Sequence, residues 1–257
     1  MTTDSMRSIF EMSPVHQRCY RHPEDILEGD AALIDALVAA DDESDPPATA
    51  LHYVAASPAP HAPAAINRLL EDGWDPLARD IRGATPIFWA ARWGGLKSLM
   101  AFNEQRVAEQ STLRDNHGNA CFHWWALGQD EPEPDCDEML IDTGHQATTQ
   151  NDAGLLPSHA ALHAPRRMAR LIDVFSALRD APGKDGYPPI FHAAAIGAYE
   201  AAGVLIEAGC NPWQKAGQYQ PVELAEDQNR WRDVVGPEPA KGQERVPSTT
   251  RAETAEP

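Results

Sequence analysis

Three histidines, His52, His123 and His159, recur at one position of a repeated motif, and imidazole is the side chain best suited to proton transfer or metal binding near neutral pH. The aligned positions of two other copies carry Phe88 and Phe191, and a ladder of bases or ligands does not tolerate an apolar rung. Ser158 precedes His159, which pairs a nucleophile with a base in name only. Consecutive residues of a helix do not face each other, and no third group stands ready to orient the pair. Cys19, Cys121, Cys136 and Cys210 are scattered without a Cys-x-x-Cys pair, which argues against a disulfide framework or a structural zinc site. With ten His in the chain, a fortuitous metal site stays open. Gly94-Gly95 lacks the flanking pattern of a phosphate-binding loop and reads as an inter-helix turn. No catalytic residue and no cofactor is implied, so the chain reads as a non-enzyme.

Charge is concentrated. Residues 24–45 hold nine acids and residues 130–142 seven, neither with a Lys or Arg; the other 23 acids face 21 bases, so these two stretches carry most of the net charge of −18. Alternating acids in 130–138 suggest a calcium loop, but the central Gly and the bidentate Glu of such loops are missing. The run reads as a solvated insertion, with an electrostatic docking patch as the alternative. A polyanionic surface repels nucleic acid and anionic membrane, which leaves a basic partner or plain solubility as its use. Nowhere do eighteen apolar residues run together, and the first thirty lack the apolar core of a signal peptide, so a soluble, cytoplasmic protein, monomeric when free, is expected.

These side chains are positioned by a repeat. Its copies are Thr49-Ala-Leu-His52, Gly83-Ala-Thr85-Pro86-Ile-Phe88, Gly118-Asn-Ala120-Cys-Phe-His123, Gly154-Leu-Leu156-Pro157-Ser-His159, Gly186-Tyr-Pro188-Pro189-Ile-Phe191 and a degenerate Gln220-Pro221-Val-Glu. Measured at the Thr position, successive spacings are 36, 35, 36, 32 and 32 residues. Thr49 and Thr85 are placed to cap a helix N-terminus, and Pro86, Pro157, Pro189 and Pro221 fall on the first helical position, where a missing N–H costs nothing. Gly73, Gly144 and Gly209 follow a second apolar stretch, as a left-handed C-cap requires. Three-residue insertions follow Ser57 and Gly128. No single helix pair of this length buries its apolar face alone, so the pairs must stack. Ile26, Leu27, Leu33, Ile34, Leu37 and Val38 at helical spacing read as an N-terminal cap, and the Pro- and Glu-rich stretch from Trp231 onward reads as a flexible tail.

The Thr-Pro-Leu-His-x-Ala-Ala core, followed about twenty residues later by Leu69-Leu70-Glu-Asp-Gly73 and Val204-Leu205-Ile206-Glu-Ala-Gly209, resembles the ankyrin repeat family. The resemblance implies an all-α ankyrin-repeat solenoid of five to six helix-turn-helix repeats with capping helices over residues 24–230, an N-terminal extension at 1–23 and a tail at 231–257. It also implies that the repeated imidazole ties its helix to neighbouring backbone. Trp89 and Trp124 are expected partly buried between repeats. The family's variable contact positions fall here on Ile81, Arg82 and Ala84; on Arg92 and Trp93; on Asn116, His117, Asn119 and Leu127; on Asp152, Leu155 and His163; and on Lys184, Asp185, Tyr187 and Ile196. Trp93 beside Arg92 has the composition of a binding hot spot, and loss of Trp93 with Tyr187 is expected to weaken partner capture without lowering the melting temperature. The expected function is protein binding through a concave face and hairpin tips, by an acidic inhibitor or immunity protein against a basic toxin or enzyme. The alternative is a targeting adaptor or secreted effector that joins two proteins.

Overall fold

The computed structural model describes residues 13–27, 32–34, 36–37, 48–110, 112–128, 135–142 and 146–238, with backbone alone at 103–110, 137, 139 and 142. Inner helices begin at Pro14–Arg21, Ala50–Ala55, Pro86–Trp89, Cys121–Ala126, Pro157–Ala160, Pro189–Ala195 and Pro221–Leu224. Each is followed by an outer helix: Glu24–Leu27, Ala62–Glu71, Gly95–Gln110, Cys136–Asp142, Pro165–Val174, Tyr199–Glu207 and Gln228–Val235. Inner helices pack on inner helices and outer on outer along one file, and no β-strand occurs among the described residues. One core therefore runs the length of the stack, from Cys19 and Ile26 to Val222 and Trp231. No helix among the described residues is long and apolar enough to cross a membrane.

Both ends extend further than the sequence reading allowed. Ser13-Pro14-Val15-His16 opens the helix Pro14–Arg21, with Ser13 as its cap and Pro14 at its first position. Ser13 Oγ lies 2.9 Å from His16 Nδ1, as Thr49 Oγ1 lies 3.0 Å from His52 Nδ1. His16 and Cys19 are buried, and the helix packs on Ala50–Ala55. The expected boundary at residue 23 thus cuts through a further repeat, which starts 36 residues before Thr49. At the other end Asp227 caps the helix Gln228–Val235, accepting from the N–H groups of Asn229 and Arg230. Trp231 and Val235 on that helix are fully buried, so the tail does not begin at 231. Residues 239–257 of the expected tail, Gly144, Val38 and the acids at 130, 131 and 133 lie outside the described residues.

The capping chemistry also differs from expectation. The hydroxyl of Thr85 is buried without a partner and makes no cap bond. What satisfies the first turn where it can is the imidazole three residues on. Nδ1 of His52, His123 and His159 accepts the backbone N–H of Thr49, Ala120 and Leu156, at 3.1, 3.2 and 3.3 Å. Phe88 has no nitrogen to do this, which leaves the Thr85 unit capped by packing alone. The glycine that ends the inner helix of that unit is steric: a Cβ on Gly94 would stand 1.8 Å from the carbonyl oxygen of Ala55 in the preceding unit. Close approach of neighbouring units at this point therefore requires glycine.

Candidate protein-binding face

Between an outer helix and the next inner helix the chain makes a tight hairpin, and successive hairpins lie over one another. Asp80 Oδ1 accepts the N–H groups of Arg82 and Ala84, both at 2.8 Å, and Asp115 Oδ1 accepts those of His117 and Asn119, both at 2.8 Å. Asn151 does the same for Leu155 at 2.9 Å. Gly83 and Gly118 sit at φ +73, and a Cβ on either would fall 2.3 Å from a side-chain oxygen of the next hairpin. Neighbouring hairpins are joined by backbone bonds from Asn116 N–H to Arg82 O (2.7 Å), Asp152 N–H to His117 O (3.0 Å) and Lys184 N–H to Gly154 O (2.9 Å). Asp80 and Asp115 also tie hairpin to helix, since their second oxygens accept the indole N–H of Trp89 and Trp124, each at 2.9 Å.

The histidine ladder completes this frame. Because a backbone N–H can only donate, Nδ1 is the acceptor and the proton sits on Nε2. That Nε2–H donates to the next hairpin: His52 to Ala84 O (3.1 Å), His123 to Leu155 O (2.9 Å) and His159 to Tyr187 O (3.2 Å). Burial pushes the His123 imidazole below its ordinary value and His159 down to about 4, against the opposing pull of those carbonyls. Both nitrogens of His159 are thus committed to backbone, and Ser158 Oγ is buried without any hydrogen bond. The adjacent pair has no geometry for nucleophilic catalysis. Burial likewise raises the thiols of Cys121 and Cys210, which keeps them from acting as thiolates. Among the described residues no three His, Cys, Asp or Glu side chains converge as a metal site.

An aromatic seam crosses the inner helices. His16 meets Tyr53 at 4.6 Å between ring centroids, Tyr53 meets Trp89 at 5.4 Å, Trp89 meets Trp93 at 5.2 Å and Trp93 meets Trp124 at 6.0 Å. Trp89 is half-buried and Trp124 buried, which places both between units as expected. The Arg92 guanidinium stacks 4.6 Å from the Trp93 ring and 5.6 Å from Trp124.

Solved structures share this arrangement. The human ASB11 ankyrin repeat domain superposes with a TM-score of 0.58 at 18% identity, over 89% of this chain and 100% of that one. The ankyrin repeat domain of Bcl-3, a member of the IkappaB protein family, gives 0.56 at 18% identity, over 87% and 96%. An ankyrin repeat domain from Acinetobacter baumannii AYE gives 0.51 at 22% identity, over 77% and 98%. The chain has the ankyrin-repeat fold. No protein-family model matches the sequence, and no curated protein matches it.

On this ankyrin solenoid the expected contact positions divide into two groups. Ile81, Arg82, Asn116, His117, Asp152, His163, Lys184, Asp185 and Ile196 are exposed. Asn119, Leu127, Leu155, Tyr187 and Trp93 are half-buried, and several of them are structural. Asn119 bonds Asp115 and accepts from Asn151, Leu155 supplies the carbonyl for His123, and Tyr187 stacks 5.2 Å from Phe191. Ala84 and Arg92 are corrections: both are buried, Ala84 beneath its hairpin and Arg92 against Trp93 and Trp124. Trp93 and Tyr187 are consequently packing residues as well, so their loss is expected to lower stability, contrary to the sequence-based expectation. Arg167 was not anticipated. It is buried, donates to Trp125 O and lies over the Trp125 ring at 5.0 Å. Only the stacking of the Leu156 unit onto the Ala120 unit brings it there, and sequence spacing carries no sign of it.

Proposed function

We propose that this ankyrin solenoid is a protein-binding module that holds its partner along the hairpin tips and inner helices and performs no chemistry of its own. The observation that carries this reading is Ile81, a large apolar side chain 66% exposed at the tip of a hairpin whose backbone is hydrogen-bonded to the next. Ile196, 46% exposed at the end of the inner helix Pro189–Ala195, supports it from three units further along. Exposed apolar anchors on a frame this well bonded lose little freedom when covered, which converts a modest contact area into useful affinity. A capture experiment from native lysate with wild type and with the Ile81→Asp, Ile196→Asp double variant tests it. The variant is expected to lose specific partners at an unchanged melting temperature, and recovery of the same partners would refute the reading.

The finer reading is that the free protein is a monomer and the partner carries a basic surface, as an acidic inhibitor or immunity protein would need. Its support is the net charge of −18 and the two base-free acidic stretches. Complementary charge speeds encounter and is screened by salt, so the association rate is expected to fall steeply with ionic strength. A rate indifferent to salt would remove the basic partner while leaving the binding module.

A further inference from the structure

The hairpins of the stack follow one plan until the last. Those entering the Thr85, Ala120, Leu156 and Pro188 units are each closed by a backbone bond across four residues: Asp80 N–H to Ala84 O, Asp115 to Asn119, Asn151 to Leu155 and Gly183 to Tyr187, at 2.9 to 3.1 Å. At the three junctions between them, the residue after the closing donor turns its own N–H to a carbonyl of the preceding hairpin. Asn116, Asp152 and Lys184 are these rung residues. The hairpin entering the Gln220 unit is one residue shorter: Ala216 N–H bonds Tyr219 O at 3.0 Å, and Tyr219 N–H returns to Ala216 O at 3.3 Å. Ala216 stands four residues before Gln220, as Asn116, Asp152 and Lys184 stand four before Ala120, Leu156 and Pro188. Its N–H is therefore spent inside its own hairpin, and Phe191 has no imidazole to offer instead. Among the described residues no hydrogen bond joins the Pro188 hairpin to the Gln220 hairpin, and the carbonyls of Asp185 and Gly186 accept none.

One glycine in each hairpin measures the space this leaves. Gly83, Gly118, Gly154 and Gly186 share a repeat position and a left-handed backbone, with φ from +73 to +81. A Cβ on the first three would lie 3.0 Å from Asn116 N, 2.7 Å from Asp152 N and 3.1 Å from Lys184 Cα, which is the backbone of the rung residue itself. On Gly186 it would meet nothing within 4 Å, and Gly186 is exposed where Gly83 and Gly154 are buried. The place that a rung residue takes at the other junctions is open here. On its far side Tyr219 is 38% exposed. Resting on the protein-binding reading above, we propose that an extended segment of the partner protein adds as a strand between the Pro188 and Gln220 hairpins, donating a backbone N–H to the Asp185–Gly186 edge and covering Tyr219 with an apolar side chain. Unpaired backbone groups along an exposed edge are a template for pairing with another chain. The ladder itself points to the occupant, since at three junctions the group that takes this place is a backbone N–H and not a charged side chain. Pairing of main chains does not depend on the sign of the partner's surface, and it fixes the partner's register on the stack.

The test uses the full chain and a displayed library of random dodecapeptides, selected on wild type, Gly186→Asn and the Ile81→Asp, Ile196→Asp double variant. Each protein, and Gly154→Asn beside them, is also melted. Asn tolerates the left-handed region, and its Cβ takes the place of the added strand. Gly186→Asn is expected to melt with wild type, whereas Gly154→Asn, which runs into Lys184, melts well below it. Wild type is expected to retain a class of peptides that Gly186→Asn binds at least about tenfold more weakly. In these peptides N-methylation of a single backbone amide is expected to cost about tenfold, the upper end for one backbone hydrogen bond, and methylation elsewhere less. Three results would overturn the added strand while sparing the binding face. They are retained peptides that all need Ile81 or Ile196 and bind Gly186→Asn as tightly as wild type, Gly186-dependent peptides indifferent to N-methylation at every position, or a Gly186→Asn melt as low as that of Gly154→Asn. If wild type retains no peptide that either variant loses, both readings fall.

Discussion

Changing His159 to Phe places at one rung of the ladder the residue that Phe88 and Phe191 already supply, fully buried, at two others. Two bonds disappear, the Leu156 N–H to Nδ1 at 3.3 Å and the Nε2–H to Tyr187 O at 3.2 Å. At neutral pH the buried donor and acceptor left behind cost about 1–3 kcal/mol. The larger effect is on pH dependence. Burial holds the native imidazole near 4, whereas the unfolded chain takes up its proton around 6.5. Between those values the unfolded state binds more protons, so the stability His159 contributes is complete above 6.5 and is lost as pH falls toward 4. A shift of this size corresponds to about 3 kcal/mol, most of it lost by pH 4.5. His192, 4.8 Å away, pushes in the same direction as burial, and Asp185 opposes it. His123 is depressed by burial too and adds to the acid sensitivity of both proteins. Urea unfolding followed by circular dichroism at pH 7 and pH 4.5 measures the effect. His159→Phe is expected to be the less stable protein at pH 7 and to close or reverse that gap at pH 4.5. Parallel pH profiles of wild type and variant would show that the proton is not excluded from this ring and would refute the argument.

Two further substitutions test the packing. Gly94→Ala should destabilise by about 2–3 kcal/mol, because its new methyl meets backbone that cannot turn away, whereas Gly203→Ala, with nothing within 4 Å on the helix Tyr199–Glu207, should stabilise by about 0.5–1 kcal/mol; melts of the two variants should move in opposite directions. Trp231→Ala removes a fully buried ring from the terminal helix and should cost about 3–5 kcal/mol, with early proteolysis of that helix, while an unchanged melt would restore the tail reading.

The repeat itself was written in the sequence. Proline and glycine act locally, through a fixed φ and the absence of a Cβ, so Pro86, Pro157, Pro189 and Pro221 mark helix starts wherever the chain lies. The same logic covers Ser13-Pro14-Val15-His16, a copy that stands by itself before the cap-like apolar stretch, 36 residues ahead of Thr49. Trp231 was harder to read. Its neighbours are polar, and the apolar face that covers it belongs to Tyr199 and the preceding outer helix.

The exposed tips at Ile81, Asn116, Asp152 and Lys184 followed from repeat position, since a hairpin between two stacked helices has nowhere to point but outward. Arg92 did not follow. Its burial depends on Trp93 and on Trp124 in the next unit, and its Nε is left without an acceptor only by where the neighbouring oxygens fall. Local geometry is a property of consecutive residues and can be read from them, whereas the desolvation of a charge is set by atoms far apart in the chain and exists only once the units have stacked.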